Sequence, residues 1–168
     1  MADFSFDIVS EIDRQELANA LDQVRKEVTT RYDFKDVPVE IVSEPEKLVI
    51  TTSDEYKFKA VMDIIKSKLI RRGLSLGILG EEKLEPAAAG KLRVTIALVE
   101  GIETEKAKQI NKLIREQMPK VKTVIQGEAI RASSKSKDEL QAVMNLLNNH
   151  PQITVPLQFT NYRWGMLS

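Results

Sequence analysis

The order strand, helix, hairpin, helix, strand occurs twice along this 168-residue chain, and this repetition constrains the fold more than any other feature. Alternating apolar residues predict the strands, and apolar residues three or four positions apart predict the helices. The segment Ala60–Met62 recurs as Ala142–Met144 near the middle of the second predicted helix of each half, an offset of 82 residues (142 minus 60). The duplication predicts an α+β fold of two ferredoxin-like repeats, each an antiparallel sheet with helices on one face.

The predicted elements fall into two matching sets. In the first half they are expected at residues 4–8, 13–32, 37–52, 54–73 and 74–78, with Ser10 or Asp13 capping the first helix. In the second half they are expected at residues 92–98, 103–118, 121–133, 135–148 and 155–159. Residues 80–90 contain two glycines, a proline and three consecutive alanines, a composition typical of a linker. We therefore predict a first repeat at residues 1–85 and a second at residues 86–168.

The composition argues against several classes of function. Because 25 Lys and Arg residues match 25 Asp and Glu residues, any site for an anion must be local. The absence of cysteine excludes disulfides, a thiolate nucleophile and cysteine-bound metal. The one histidine, His150, has no triad pattern around it, and the glycine-rich phosphate loops are missing. We therefore expect no enzyme activity, no cofactor and no metal site.

The same reasoning places the chain in the cytoplasm and away from membranes. No stretch approaches the roughly 20 apolar residues of a membrane-spanning helix. The first ten residues include Asp3 and Asp7 and lack the basic and apolar regions of a secretory signal.

Six segments, taken in their order and spacing, resemble the YajQ family of bacterial nucleotide-binding proteins over nearly the whole chain. They are Phe4–Glu11, Arg31–Lys35, Lys68–Gly73, Gln126–Arg131, Asp138–Met144 and Gln158–Arg163. The resemblance implies two ferredoxin-like domains that exchange their N-terminal strands, so that residues 4–9 would lie in the second sheet and residues 92–98 in the first. It also implies a nucleotide or RNA as ligand, with cyclic di-GMP reported for at least some members.

A site for a nucleotide needs cationic donors for phosphate and a flat group for the base. The segment after the first helix supplies both, in Arg31, Tyr32, Phe34 and Lys35. In an extended segment the two aromatic rings would share one face. They would then either stack on a ligand or pack into the core with Arg31 and Lys35 left in solvent.

The second hairpin offers another candidate surface. If Ile130 faces the helices, Arg131 must face away from them, and Lys122 with Gln126 is expected on the same open face. This face is either a nucleotide-binding surface or an ordinary solvated side of a sheet.

Further cations are candidates by position. Lys135 and Lys137 lie at the start of a predicted helix, where an anion would offset their unfavourable placement. Arg163 stands between two aromatic residues, a composition that suits either stacking or the covering of an apolar seam. Arg71 and Arg72 are interpreted as partners for the negative end of a helix dipole.

These observations predict a non-enzymatic nucleotide-binding effector that relays ligand occupancy to a protein partner, and the resemblance implies cyclic di-GMP as the specific ligand. The alternative is an RNA- or protein-interaction scaffold without a small-molecule ligand. The central strands, residues 48–52 and 129–133, contain no aromatic residue, so the base-stacking mode of RNA-recognition motifs is not predicted.

Overall fold

The computed structural model describes residues 3–153 and 155–164, which form eight strands and four helices. The strands are β1 (Phe4–Val9), β2 (Val39–Ser43), β3 (Lys47–Thr52), β4 (Leu79–Pro86), β5 (Leu92–Leu98), β6 (Lys122–Gln126), β7 (Ala129–Ser134) and β8 (Gln158–Arg163). The helices are α1 (Arg14–Thr30), α2 (Glu55–Arg71), α3 (Thr104–Gln117) and α4 (Lys137–Asn149). The predicted α+β class with two ferredoxin-like repeats is confirmed.

The chain divides into two compact units. The inserted unit is Ile12–Val99, and the terminal unit contains the described residues of 3–11 and 100–164. Antiparallel strands form the sheet β2-β3-β5-β4 in the inserted unit and the sheet β6-β7-β1-β8 in the terminal unit. The strand exchange is therefore present, since β1 pairs with β7 and β8, and β5 pairs with β3 and β4. The compact units differ from the contiguous division at residue 85, which remains a prediction about the sequence repeats.

Each unit has its own core between its sheet and its two helices. In the terminal unit, Phe6 and Ile8 of β1 are fully buried and pack with Ile110 and Ile114 of α3 and Leu140 of α4. In the inserted unit, alternate residues of β3 and β5 pack against the apolar stripes of α1 and α2. One sheet face is covered by helices in each unit, and the other face is left for polar side chains.

Short polar side chains set where the helices begin. The Asp13 carboxylate accepts from the backbone N of Glu16 at 3.1 Å, and the Asp54 carboxylate accepts from the backbone N of Lys57 at 2.8 Å. Ser136 caps α4 in the same way, with its hydroxyl 3.4 Å from the backbone N of Glu139. Of the two caps considered for the first helix, Asp13 is the one that caps it.

Two predictions for residues 74–90 are wrong. Residues 74–78 do not form a strand, because Leu76–Ile78 is a 3-10 turn capped by the Ser75 hydroxyl. Residues 80–90 are not a linker, because β4 pairs along most of its length with β5. As an edge strand, β4 needs no alternating apolar pattern, and its charged residues protect the edge from pairing with other chains.

The last strand is shifted from its predicted position. The apolar pattern predicts a strand at residues 155–159. Of these residues, Val155 to Leu157 come before β8. Residue 154 lies outside the described residues. The strand itself runs to Arg163 and contains a bulge, marked by a positive φ of 55° at Asn161. The bulge lets Arg163 pair with Ser5 after Thr160 has paired with Asp7.

Replacing the buried ring of the central strand tests this packing. Phe6→Ala is expected to destabilise the terminal unit by about 3–5 kcal/mol, because the fully buried ring leaves a cavity. Urea denaturation followed by the fluorescence of Trp164 measures the effect, since this single tryptophan lies in the same unit. The matched control is Tyr32→Ala, which removes an exposed ring and should change stability by less than about 0.5 kcal/mol. Equal effects of the two substitutions would contradict the described packing.

Candidate functional site

The open face of the terminal sheet carries a row of four polar residues, one from each strand. Lys122 pairs with Ser133, Ser133 with Ser5, and Ser5 with Arg163. Directly opposed residues in a sheet point to the same side, so these four side chains share a face. We call Lys122, Ser133, Ser5 and Arg163 the cationic row. It places one cation at each edge of the sheet and two hydroxyl groups between them.

The neighbouring row contains an ion pair at its centre. The Arg131 Nε donates to Asp7 Oδ1 at 2.9 Å, and the Asn161 Nδ2 donates to Asp7 Oδ2 at 3.0 Å. The hydrogen bond from Arg131 holds the pKa of Asp7 below its usual range, and Asp7 raises the pKa of Arg131. Within the described residues, Lys122 and Arg163 form no such pair with a carboxylate. The open face therefore has two cations outside this ion pair, although the charge of Arg163 also lowers the pKa of Asp7.

The predicted placement of residues on the open face is confirmed. Arg131 and Ser133 face away from the helices, and the register places Lys122 and Gln126 beside them. The binding roles of these residues stay predictions.

Lys135 and Lys137 do not belong to this group. Lys135 is exposed in the turn after β7, and the Lys137 Nζ lies 5.1 Å from the centre of the Phe4 ring. Phe4 packs against the core on the helix-covered side of the sheet. Asp138 and Glu139 follow in the first turn of α4, where they offset the lysine charges.

The aromatic residues beside Arg163 cover an apolar seam. The Tyr162 and Trp164 rings stack at 5.3 Å, and both lie edge-on to Phe6, at 6.1 and 6.4 Å. Of the two predicted roles, stacking on a ligand and covering an apolar seam, these contacts match the second. The guanidinium of Arg163 belongs to the cationic row on the opposite face.

The segment after α1 is not extended, so the condition under which the two aromatic rings would share a face is not met. Tyr32–Phe34 is a 3-10 turn, in which residues two apart point in different directions because three residues complete one turn. Phe34 is 3% exposed and belongs to the core of the inserted unit, whereas Tyr32 is 89% exposed. The two rings therefore do not share a face, and only Tyr32 is accessible to a ligand.

Arg31 is held by carboxylates of its own unit. Its Nε and Nη2 each donate to the Asp33 carboxylate at 2.9 Å, and its Nη1 donates to Glu27 at 3.2 Å. The Asp33 and Glu27 carboxylates raise the pKa of Arg31, and the pKa of Asp33 is lowered in return. Lys68 binds the other oxygen of Glu27 at 3.0 Å, so the pKa of Glu27 is lowered by Lys68 and Arg31. This network makes Arg31 a positioning residue for the turn.

A second surface, not found from the sequence, adjoins this turn. The Lys57 Nζ donates to the backbone O of Asp33 at 2.6 Å and lies 5.8 Å from the centre of the Tyr56 ring. Tyr56 is 78% exposed. We call Tyr32, Tyr56 and Lys57 the tyrosine surface; Lys35 is also exposed in this turn. The available signal was that Tyr56 falls outside the apolar stripe of α2, which is formed by Phe58, Val61, Met62 and Ile65.

The structure thus distributes the predicted site residues over both units. It brings Lys122, Arg131 and Arg163 together on one face of the terminal unit, whereas Arg31, Tyr32, Phe34 and Lys35 belong to the inserted unit. In the described part of the chain, no group of three or more acidic or histidine side chains could hold a metal ion. No helix there combines the length and apolar character needed to cross a membrane.

Comparison with known proteins decides the family. The family model for nucleotide-binding protein YajQ-like matches residues 4–163. The chain belongs to this family. A protein of Roseiflexus sp. (strain RS-1) named nucleotide-binding protein is 48% identical over 163 residues, which cover 96% of this chain and 99% of that protein. A Chloroherpeton thalassium protein with the same name is 46% identical, with 95% and 98% coverage, and one from Synechococcus sp. (strain CC9902) is 44% identical, with 95% and 97% coverage.

The ion pair on the open face of this YajQ-like chain predicts a pH-dependent stability. Asp7→Asn is expected to lower the melting temperature at pH 7, because the ionised carboxylate is held by Arg131 and Asn161. The folded-state pKa of Asp7 lies below its unfolded value of about 3.9. This stabilisation is therefore present above about pH 4 and is lost as the pH falls through the folded pKa.

Melting temperatures of wild type and variant between neutral and acidic pH measure this difference. The matched control is Asp22→Asn, which removes the carboxylate of an exposed pair with Arg25 and should have a smaller effect at neutral pH. If the difference in melting temperature between wild type and Asp7→Asn stayed the same at acidic pH, the ionised Asp7 carboxylate would not be the source of the stabilisation.

Proposed function

We propose that this chain is a non-enzymatic nucleotide-binding protein, and that the cationic row holds the phosphate of its ligand. Support comes from the family and from relatives named nucleotide-binding protein, which this chain matches over nearly their whole length. The observation that carries the proposal is the pair of cations at the edges of the open face, neither of which forms a salt bridge with a carboxylate of the described residues. A phosphate group takes charge-assisted hydrogen bonds from such donors.

The geometry of the row suits a ligand that lies flat across the sheet. Three strand spacings separate Lys122 from Arg163, so their backbones stand about 14 Å apart. The hydroxyl of the half-buried Ser133 lies between them as a donor or acceptor for ribose and phosphate oxygens, whereas Ser5 is only 8% exposed. The Arg131 guanidinium, anchored to Asp7 through Nε, keeps further N–H groups for the same ligand.

Cyclic di-GMP is the specific ligand that we propose for this face. Its two phosphate groups are separated by the sugars, and the row offers two cations separated by hydroxyl groups. Because no aromatic side chain lies in either row of the open face, the face reads phosphate and sugar more strongly than it reads the base. We place this activity in the cytoplasm, with transmission of ligand occupancy to a protein partner.

Neutralising both edge cations tests the proposal. Lys122→Gln combined with Arg163→Gln is expected to weaken cyclic di-GMP binding by about ten- to hundredfold, because each substitution removes a charge-assisted hydrogen bond. Isothermal titration calorimetry with cyclic di-GMP, GTP and ATP measures the affinities, and a fluorescent nucleotide detects binding that releases no heat. The matched control replaces Lys108 and Arg115, two exposed cations of α3, with glutamine. Equal weakening by the control pair, or no nucleotide binding at all, would reject the proposed site.

A second candidate function, the binding of single-stranded RNA, is favoured by the tyrosine surface. Exposed aromatic rings beside cations are the usual platform on which unpaired bases stack. Tyr32 and Tyr56 are both mostly exposed. Lys57 lies beside the Tyr56 ring and donates to the backbone O of Asp33, the residue that follows Tyr32. In this case the chain would serve as an RNA-binding scaffold that needs no small-molecule ligand.

Removing the two rings separates this function from the first. Tyr32→Ala with Tyr56→Ala is expected to weaken the binding of a short single-stranded RNA. The loss is about 1–3 kcal/mol of binding free energy for each base that no longer has a tyrosine ring to stack on. Fluorescence anisotropy measures the affinity over a range of salt, and the salt dependence should stay unchanged because no cation is removed. The control is Ile70→Ala, an exposed apolar residue of α2. RNA affinity that is insensitive to loss of both rings would exclude this surface.

A further inference from the structure

A charged groove lies between α1 and α2 of the inserted unit, apart from both surfaces described above. Its volume is about 690 Å³. Four cations and two carboxylates line it: Lys26, Lys68, Arg71, Arg72, Glu16 and Glu27. The groove therefore has more positive than negative groups, although the whole chain is neutral.

Two of the four cations are paired across the helices. The Lys68 Nζ lies 3.0 Å from a Glu27 oxygen, and an Arg72 guanidinium nitrogen lies 3.7 Å from a Glu16 oxygen. Both carboxylates have other partners as well, since Glu16 accepts from Asn19 at 2.8 Å and Glu27 accepts from Arg31. Their capacity to neutralise further cations is largely used.

Lys26 and Arg71 are the other two cations of the groove. No ion pair or hydrogen bond joins either side chain to another part of the chain that the structure describes. Both are exposed at the groove. Two positive charges therefore remain for a ligand, next to two cations that are already held in place by carboxylates.

The hydrogen bonds at the end of α2 do not require the Arg71 side chain. The last carbonyl groups of α2 are bound by backbone N–H groups, because Gly73 donates to Ile70 and Leu74 donates to Leu69, at 3.0 and 2.9 Å. Arg72 donates its own backbone N–H to the same turn. The Arg71 side chain is thus not needed to satisfy this helix end.

The duplicated unit shows that the fold does not require these cations. In the terminal unit, a groove of about 580 Å³ lies between α3 and the segment that follows α4, and it is lined in part by Lys106, Lys112 and Glu116. At the 82-residue sequence offset of the repeats, Lys68 and Arg71 of α2 align with His150 and Ile153, which line this groove but follow the end of α4 at Asn149. The groove of the inserted unit therefore has four cations, whereas that of the terminal unit has two lysines together with the apolar Leu113 and Ile153.

We propose that the groove between α1 and α2 binds a phosphate dianion, either free or as the end group of a phosphomonoester. Lys26 and Arg71 supply the two unmatched charges, and Lys68 and Arg72 supply further hydrogen-bond donors. The site lies in the inserted unit and does not depend on nucleotide binding by the cationic row of the terminal unit.

A titration of the full chain observed by NMR tests this site. Inorganic phosphate and AMP are both expected to shift the Arg71 Nε–H signal to saturation, whereas adenosine should not. A response to AMP alone would refute binding of the phosphate group as such. Arg71→Gln is expected to weaken phosphate binding about tenfold, because one charge-assisted interaction is removed. For this variant the shifts are followed on the backbone amides of Lys26 and Lys68, and an unchanged melting temperature confirms that it is folded.

Two further variants separate this site from diffuse charge and from the cationic row. Lys112→Gln, in the groove of the terminal unit, should leave phosphate binding at Arg71 unchanged. Lys122→Gln with Arg163→Gln should also leave it unchanged, whether or not that pair alters nucleotide binding. The proposal is overturned if no saturable shift occurs, if Lys112→Gln weakens binding as much as Arg71→Gln, or if the cationic-row variant abolishes the Arg71 response.

Discussion

The pairing of β1 between β7 and β8 is the interaction on which the terminal unit depends. Its inward residues, Phe6 and Ile8, are fully buried beneath α3 and α4, and its outward residues, Ser5 and Asp7, form the centre of the open face. A slip of one residue would move the inward set to the outside and the outward set into the core. The apolar alternation of one six-residue strand therefore fixes both the core and the arrangement of cations on the opposite face.

Much of the architecture could be predicted because its signals are local. The stripes of α1 to α4 and the alternation in β1, β3, β5 and β7 follow from burial on one face, which is a property of neighbouring residues in the chain. The elements that were missed are those without such burial. Strand β4 is an edge strand with several charged residues, and residues 76–78 form a 3-10 turn rather than a strand. An edge strand is held by backbone hydrogen bonds, which leave little trace in the side-chain pattern.

The candidate site was less predictable, because it is made by long-range register. Lys122 and Arg131 could be placed on one face from the hairpin alone, but Arg163 joins them only because β8 pairs with the exchanged strand β1 across a bulge. Arg31 and Phe34 show the opposite case. Their types suit a nucleotide site, yet Arg31 is held by Asp33 and Glu27, and Phe34 is part of the core. Residue type identifies groups that can bind a ligand, whereas packing decides which of them are accessible.

Duplication supplies an internal comparison for the open face. In the sheet of the inserted unit, the row that corresponds to the cationic row consists of Glu40, Thr51, Arg93 and Glu85. The central hydroxyl residue of β3 is retained as Thr51, but the edges carry carboxylates, and Glu85 lies 3.7 Å from Arg93. Both sheets keep apolar residues toward their helices, so stability does not dictate the charge of the outer row. The two units thus share a framework set by burial and differ in charge at corresponding positions where burial imposes no choice, which is where a binding function is free to develop in one copy alone.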